Sequence, residues 1–225
     1  MISGTTKLVA LLGHPVGHSL SPRMQNAAFA ARALDLAYVA FDVLPDRFDA
    51  AVGGLAELGF VGANVTAPHK LAAARLSVTE EPSVNTLVFR GGDVEGHSTD
   101  AAVLRGLSPA RAAIVGDGGS AAAFRRALPD AHVFSRRGDW PPRAEGFDLV
   151  VHATPVTDEV LVTVGPGQTL VDLPYPASAT ATAATAAGAT VLDGLDVLLA
   201  QGAASFELWT GVSAPFGVMR AALSP

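Results

Sequence analysis

In this 225-residue chain the run Asn64-Val65-Thr66-Ala67-Pro68-His69-Lys70 closes an apolar strand with polar side chains and then a lysine. An ammonium just past a strand end can stabilise a developing negative oxygen and give it a proton. A second polar strand end, Gly96-His97-Ser98-Thr99-Asp100, finishes in a carboxylate. Brought together by the fold, Lys70 and Asp100 form a proton-handling pair; left apart, Lys70 is a solvated loop lysine.

A different chemistry is written around Gly116-Asp117-Gly118-Gly119-Ser120. These glycines stand between an apolar strand and a helical stretch, where a tight turn lets the backbone approach a pyrophosphate at a helix N-terminus. About twenty residues further on, an acidic residue would take the ribose of NAD, and an arginine the 2′-phosphate of NADP. The chain has Ser135-Arg136-Arg137 there, which favours NADP; the plainer alternative is two solvated surface arginines. Asp117 sits in the variable place of the turn. Pointing inward it would repel a pyrophosphate, and pointing to solvent it would be screened.

The elements that must position these residues alternate. Strands are expected at Lys7–Leu12, Tyr38–Val43 and Val61–Val65. Helices are expected from Ser21-Pro22, with Ser21 as N-cap, to about Leu34, and from Pro45-Asp46 to Gly59. This β-α-β-α-β order favours a parallel sheet covered by helices. Thr86–Phe89 and Val94–Ser98 flank Arg90-Gly91-Gly92-Asp93, a hairpin turn. A second unit begins near Thr99, with strands at Arg111–Val115, His132–Phe134, Phe147–Val151, Thr169–Leu173 and Thr190–Leu192. Its helices are expected at Ala121–Leu128 and Ser178–Ala187. From Gly194 onward the chain reads as helices interrupted at Gly211 and Pro215.

Composition narrows the function classes. Apolar residues make up 49% of the chain and charged residues 16%, which suits a packed core rather than disorder. A net charge of −6 argues against a nucleic-acid surface or docking on an anionic membrane. There is no cysteine, so disulfides, thiolate zinc sites and cysteine nucleophiles are excluded. The apolar run Leu8–Leu12 is strand-sized, so neither a signal peptide nor a membrane span is expected at the start. His14, His18, His69 and His97 lack a ligand spacing that would suggest a metal. A soluble, cytoplasmic protein is expected.

Together these motifs resemble the shikimate dehydrogenase family. Gly13-His14-Pro15-Val16-Gly17-His18-Ser19-Leu20-Ser21-Pro22 is similar to its N-terminal signature, and Asn64 to Lys70 to its lysine motif. Val84-Asn85-Thr86, Thr99-Asp100, Gly116 to Ser120, Ser135-Arg136 and Ala153-Thr154-Pro155 follow in the family's order. Asp193-Gly194-Leu195 and Gln201 through Gly211 resemble its C-terminal signature.

The resemblance implies an α/β fold of two domains. Residues 1–98 would form a substrate domain with a mainly parallel sheet, completed by helices in 197–225, and residues 99–196 a Rossmann-like NADP domain. The implied reaction is reversible reduction of 3-dehydroshikimate to shikimate by NADPH, in a monomer or homodimer. Lys70 and Asp100 would be catalytic. Ser19 and Ser21 would hold the substrate carboxylate, Asn64, Thr66, Asn85 and Gln201 would orient ring hydroxyls, and Tyr175 would lie nearby. Gly116, Asp117, Gly118, Gly119, Ser120, Ser135, Arg136, Arg137 and Thr154 would bind NADP, with Leu173 and Gly194 near the nicotinamide. No metal is implied.

The chain departs from the family at Ser98, where asparagine is usual, and at Ala101 and Ala102, where glycine is favoured. The Lys70–Asn85 stretch and the segment before Gly116 are shortened, and the glycine-methionine expected soon after Pro155 is absent. These departures leave two alternatives: a paralogue acting on quinate or an amino-shikimate, and a catalytically silent protein that binds shikimate or nucleotide.

Overall fold

The computed structural model describes residues 2–224. The chain divides into two compact units, Met1–Thr99 with Leu199–Pro225, and Asp100–Leu198.

In the first unit, β1 (Lys7–Gly13), α1 (Ser21–Ala31), β2 (Leu36–Asp42), α2 (Phe48–Glu57), β3 (Gly62–Val65), α3 (Lys70–Leu76), β4 (Thr86–Arg90) and β5 (Asp93–His97) follow one another. The sheet order is β2-β1-β3-β4-β5. β1 runs parallel to both β2 and β3, while β3–β4 and β4–β5 are antiparallel. The apolar run Val9–Leu12 places β1 centrally, because a strand covered on both faces needs no polar alternation. Gly91 and Gly92 have φ of +61° and +94°, so the hairpin closes through the left-handed two-residue turn that matches strand twist. Phe48, Val52, Leu12, Val65 and Leu87 fill the core on one side of the sheet.

Local differences from the sequence reading have physical causes. Leu20, not Ser21, is the N-cap of α1, and no side chain caps that helix. Ser21 is drawn one position inward, and its N–H is met by the Ser19 hydroxyl at 3.2 Å. The helix stops at Ala31, since Ala33 turns to φ +52°. Pro45–Arg47 forms a 3-10 turn before α2 begins. α3, absent from the sequence reading, starts at Lys70 itself, and β5 ends at His97 rather than Ser98.

The second unit holds β6 (Ala112–Val115), α4 (Gly119–Ala127), β7 (His132–Phe134), β8 (Leu149–His152), β9 (Thr169–Asp172), α5 (Ala179–Ala186) and β10 (Thr190–Leu192). A 3-10 turn at Asp100–Leu104 precedes them. All five strands are parallel, in the order β10-β9-β8-β6-β7. The order in which successive strands are added across the sheet reverses between β6 and β8, the place where an open α/β sheet leaves a crevice at its carboxyl edge. Val115, Val150 and Leu170 line one buried face, and Ile114, Phe124 and Val151 the other.

The chain ends in α6 (Gly194–Thr210) and α7 (Phe216–Leu223). α7 packs on α1, and Phe206 of α6 stacks on Phe29 of α1 with ring centres 5.6 Å apart. No helix among the described residues is long and apolar enough to cross a membrane.

Candidate active site

In the first unit the polar positions share one edge of the sheet. β1 and β3 end there, and β4 begins there because it is antiparallel to β3, with Asn64 opposite Thr86. Thr86 in turn faces His97, so Ser98 and Thr99 leave β5 at the same edge. Asn64 and Asn85 are buried, at 5% and 3% exposure.

Their amides are held from several sides. Asn64 Oδ1 accepts from the Tyr38 hydroxyl at 2.8 Å. Asn64 Nδ2 lies 3.0 Å from Asn85 O, 3.1 Å from Thr86 Oγ1 and 3.0 Å from Ser205 Oγ. Asn85 Oδ1 accepts from Thr99 N–H at 2.7 Å, and Asn85 Nδ2 donates to Thr99 Oγ1 at 2.9 Å and to Gln201 Oε1 at 3.3 Å. Ser205 donates to Gln201 O at 2.9 Å and shares a 2.8 Å contact with Thr86. Such a satisfied network fixes which end of each amide is which, because a wrong orientation would oppose donors or acceptors.

Lys70 is half-buried at the first position of α3. A cation there opposes the helix dipole, so local helix preference does not account for the residue. Its backbone is pinned: Lys70 O accepts from Val84 N–H at 3.1 Å, and His69 N–H donates to Thr66 O at 2.9 Å. His69 is buried, its Nε2 lies 2.7 Å from Val43 O, and its ring stacks on Phe48 at 4.5 Å. Ser19 and Ser21 stand together at the start of α1, and Thr66 follows β3. The Ser98 hydroxyl is buried and makes no hydrogen bond within the protein.

In the second unit the glycine turn joins β6 to α4. Gly116 has φ +123°, and a Cβ on it would stand 2.8 Å from Ala153 O, so this position tolerates only glycine. At Gly118, by contrast, nothing lies within 4 Å of an added Cβ. The tight turn leads directly into the N-terminus of α4, the kind of place where a dinucleotide pyrophosphate is received. Ser135, Arg136 and Arg137 follow β7, the neighbour of β6, where a ribose 2′-phosphate would be met. Arg136 lies 5.5 Å from the Trp140 ring centre and 3.7 Å from Glu159. Asp117 is turned to Arg137, at 3.5 Å, which gives its charge a partner at the turn.

Thr154 follows β8, and Leu173 follows β9. A Cβ on Gly194 would lie 2.1 Å from Pro174 O and 2.9 Å from Leu173 O, so these two expected positions are adjacent. Tyr175 lies in the loop after β9, and Asp100 is buried at the head of the 3-10 turn. Among the described residues no group of three or more His, Asp or Glu side chains is arranged to hold a metal.

Several polar groups in these networks escaped the sequence reading. Tyr38 looks like an ordinary strand aromatic, and nothing in its spacing marks it. Ser205 lies four residues after Gln201 on one helix, so its shared face was legible in principle. His152 and Asp172, wholly buried and 2.6 Å apart, fall just after one expected strand and inside another, and nothing in their spacing marks them.

A parallel sheet with a glycine turn at its switch point and arginines just after the next strand defines a Rossmann-like nucleotide-binding unit. Joined to a mixed sheet with a polar carboxyl edge, it places the chain among two-unit α/β dehydrogenase folds. Family models agree: residues 11–85 match the "Shikimate dehydrogenase substrate binding domain" and residues 194–223 the "Shikimate 5'-dehydrogenase C-terminal domain". The chain is 40% identical to a shikimate dehydrogenase (NADP(+)) of Moorella thermoacetica, over 97% of this chain and 92% of that protein. It is 38% identical to the protein of the same name from an Anaeromyxobacter species, over 100% and 98%. A Thermus thermophilus shikimate 5-dehydrogenase, solved in complex with NADP(H) and shikimate, superposes with a TM-score of 0.84 at 29% identity, covering 96% of this chain and 98% of that one. The chain belongs to the shikimate dehydrogenase family. Its alignment with the Moorella protein runs over 273 positions against 225 residues here, so it opens gaps in this chain.

Proposed function

We propose that the protein is an NADP-dependent shikimate dehydrogenase, reducing 3-dehydroshikimate to shikimate and running in reverse when NADP+ is supplied. The reading rests above all on the full-length match to proteins of that name. The Gly116 turn and the arginines after β7 support the cofactor, since they suit a phosphorylated dinucleotide.

NADPH, when bound, supplies a hydride to the ketone carbon. Lys70 then stabilises the growing alkoxide and donates a proton to that oxygen, while Asp100 keeps the ammonium oriented and charged. Ser19 and Ser21 hold the carboxylate through their hydroxyls. Asn64, Thr66, Asn85 and Gln201 orient the ring hydroxyls, with Tyr175 near the substrate. The hydrogen bonds around both asparagines support this role, because side chains already locked need no ordering when substrate arrives. Arg136 and Arg137, with Ser135, take the 2′-phosphate; Gly116, Asp117, Gly118, Gly119 and Ser120 border the pyrophosphate; Thr154, Leu173 and Gly194 border the nicotinamide end.

The test is a steady-state assay of the purified protein with shikimate or quinate against NADP+ or NAD+. Turnover is expected with shikimate and NADP+. Absence of turnover at high enzyme concentration would sink the reading, and preference for quinate would redirect it.

A further inference from the structure

Four polar groups form a chain through the second unit, and of these only Thr154 has a role above. Asp172 and His152 are both 0% exposed, as is Ser178. Asp172 Oδ1 accepts from the Ser178 hydroxyl at 2.8 Å, and its Oδ2 from the Ser178 N–H at 3.1 Å. Ser178 accepts from Ala181 N–H at 3.1 Å and so caps α5. On the other side, His152 Nδ1 lies 2.6 Å from Asp172 Oδ1, and His152 Nε2 lies 2.7 Å from Thr154 Oγ1.

With the ring neutral, the chemistry of the groups sets the direction of every bond. A carboxylate only accepts, so the Nδ1 facing Asp172 carries the ring proton. In the neutral ring Nε2 then accepts, and the Thr154 hydroxyl must donate to it. Thr154 Oγ1 also accepts from Val156 N–H at 3.3 Å. Its one proton is thus committed inward. What Thr154 presents outward is a lone pair, which suits an N–H or O–H donor.

The placement gives this chain a consequence. Thr154 follows β8, at the switch point beside Gly116, and the bonds from Ser178 to Asp172 bracket the loop Leu173-Pro174-Tyr175-Pro176-Ala177. Leu173 N–H donates to His152 O at 3.1 Å, tying that loop to the same histidine. A fully buried imidazole needs a reason, since burying polar groups costs free energy unless all are paired. Here all are paired, and the pairing ends on residues assigned to the nicotinamide end.

We propose that His152 is a positioning residue for NADP(H): through Asp172 it fixes the 173–177 loop, and through Thr154 it presents a hydrogen-bond acceptor to a donor group of the cofactor, its carboxamide or a ribose hydroxyl. The inference rests on the NADP reading above.

Calorimetric titration with NADP+ in the absence of shikimate separates the two. Wild-type protein that binds no NADP+ would overturn the cofactor reading itself. With wild-type binding in hand, His152→Asn, which keeps an amide near Asp172 but cannot reach Thr154, should weaken NADP+ about tenfold, the worth of one hydrogen bond to a ligand. Thr154→Val should weaken it to a similar degree, and the double variant should be no weaker than either single one, because His152 acts through Thr154. Additive losses, or unchanged affinity in His152→Asn, would overturn the proposal. Should His152→Asn not fold, nitrogen NMR of the native imidazole decides. The ring should be the Nδ1–H tautomer, and its Nε2 resonance should move when NADP+ binds. A doubly protonated ring, or an Nε2 signal indifferent to NADP+, would overturn it.

Discussion

Asn64 and Asn85 are 5% and 3% exposed and are each gripped by several side chains, whereas the Arg136 and Arg137 side chains stand 70% and 87% exposed, with single carboxylates at 3.7 and 3.5 Å. The first region is a buried network whose members satisfy one another. The second is a backbone turn flanked by solvated charges. Removing a member of the first leaves donors and acceptors stranded away from water, and folding suffers along with function. Removing a charge from the second leaves little stranded, so binding changes while stability holds. On the roles proposed above, substrate geometry and cofactor affinity are therefore adjustable to very different degrees.

The largest expected effect falls on Lys70. Lys70→Ala should lower kcat by about 10²–10⁴-fold, the usual worth of a proton donor, with KM for shikimate little changed. A raised KM with kcat intact would make Lys70 a binding group. Next comes Asn85→Leu, which strands the buried Thr99 N–H. It should cost about 1–3 kcal/mol of stability in urea unfolding, the usual cost of one orphaned buried group. A stable Asn85→Leu protein that had lost only activity would break the contrast between the regions. Arg136→Ala should do the opposite: raise KM for NADPH about tenfold, narrow the preference over NADH, and leave the thermal midpoint in place.

The contrast also explains what could be read before the structure. The Gly116 turn was legible because a turn of this backbone conformation demands glycine. The parallel strands were legible for a similar reason: Val9–Leu12 and Ala112–Val115 are continuous apolar runs. The buried network was only half legible. Asn64 and Asn85 stood out, but Tyr38 and Ser205 join Asn64 through contacts between residues 26 and 141 positions apart, which no local pattern announces. α3 was missed because proline and histidine precede it and no side chain caps it.

Ser98 is the exception within the buried region, a hydroxyl that makes no hydrogen bond in the protein. Ser98→Ala removes an unpaired polar group, so it should leave stability unchanged or raise it by up to about 1 kcal/mol. A loss of more than that in urea unfolding would show that the hydroxyl has a partner the contrast overlooks.

The smallest effect is expected at Asp117, and it tests the exposed region on its own terms. Asp117 and Arg137 are 3.5 Å apart, and their side chains are 37% and 87% exposed. A pair so solvated contributes little to folding, so Asp117→Ala should shift stability by less than about 0.5 kcal/mol. It does two things to the cofactor site: it removes a negative charge from the pyrophosphate turn and releases Arg137 to meet a phosphate. Both should tighten NADP+, by about threefold at low salt, and the gain should shrink as ionic strength rises because exposed charges are screened beyond about 10 Å at 0.1 M. Titrations of NADP+ at two salt concentrations measure it. Weaker binding in Asp117→Ala would mean that the carboxylate holds Arg137 in its working orientation, and the exposed arginine would then be as dependent on a partner as the buried asparagines are on theirs.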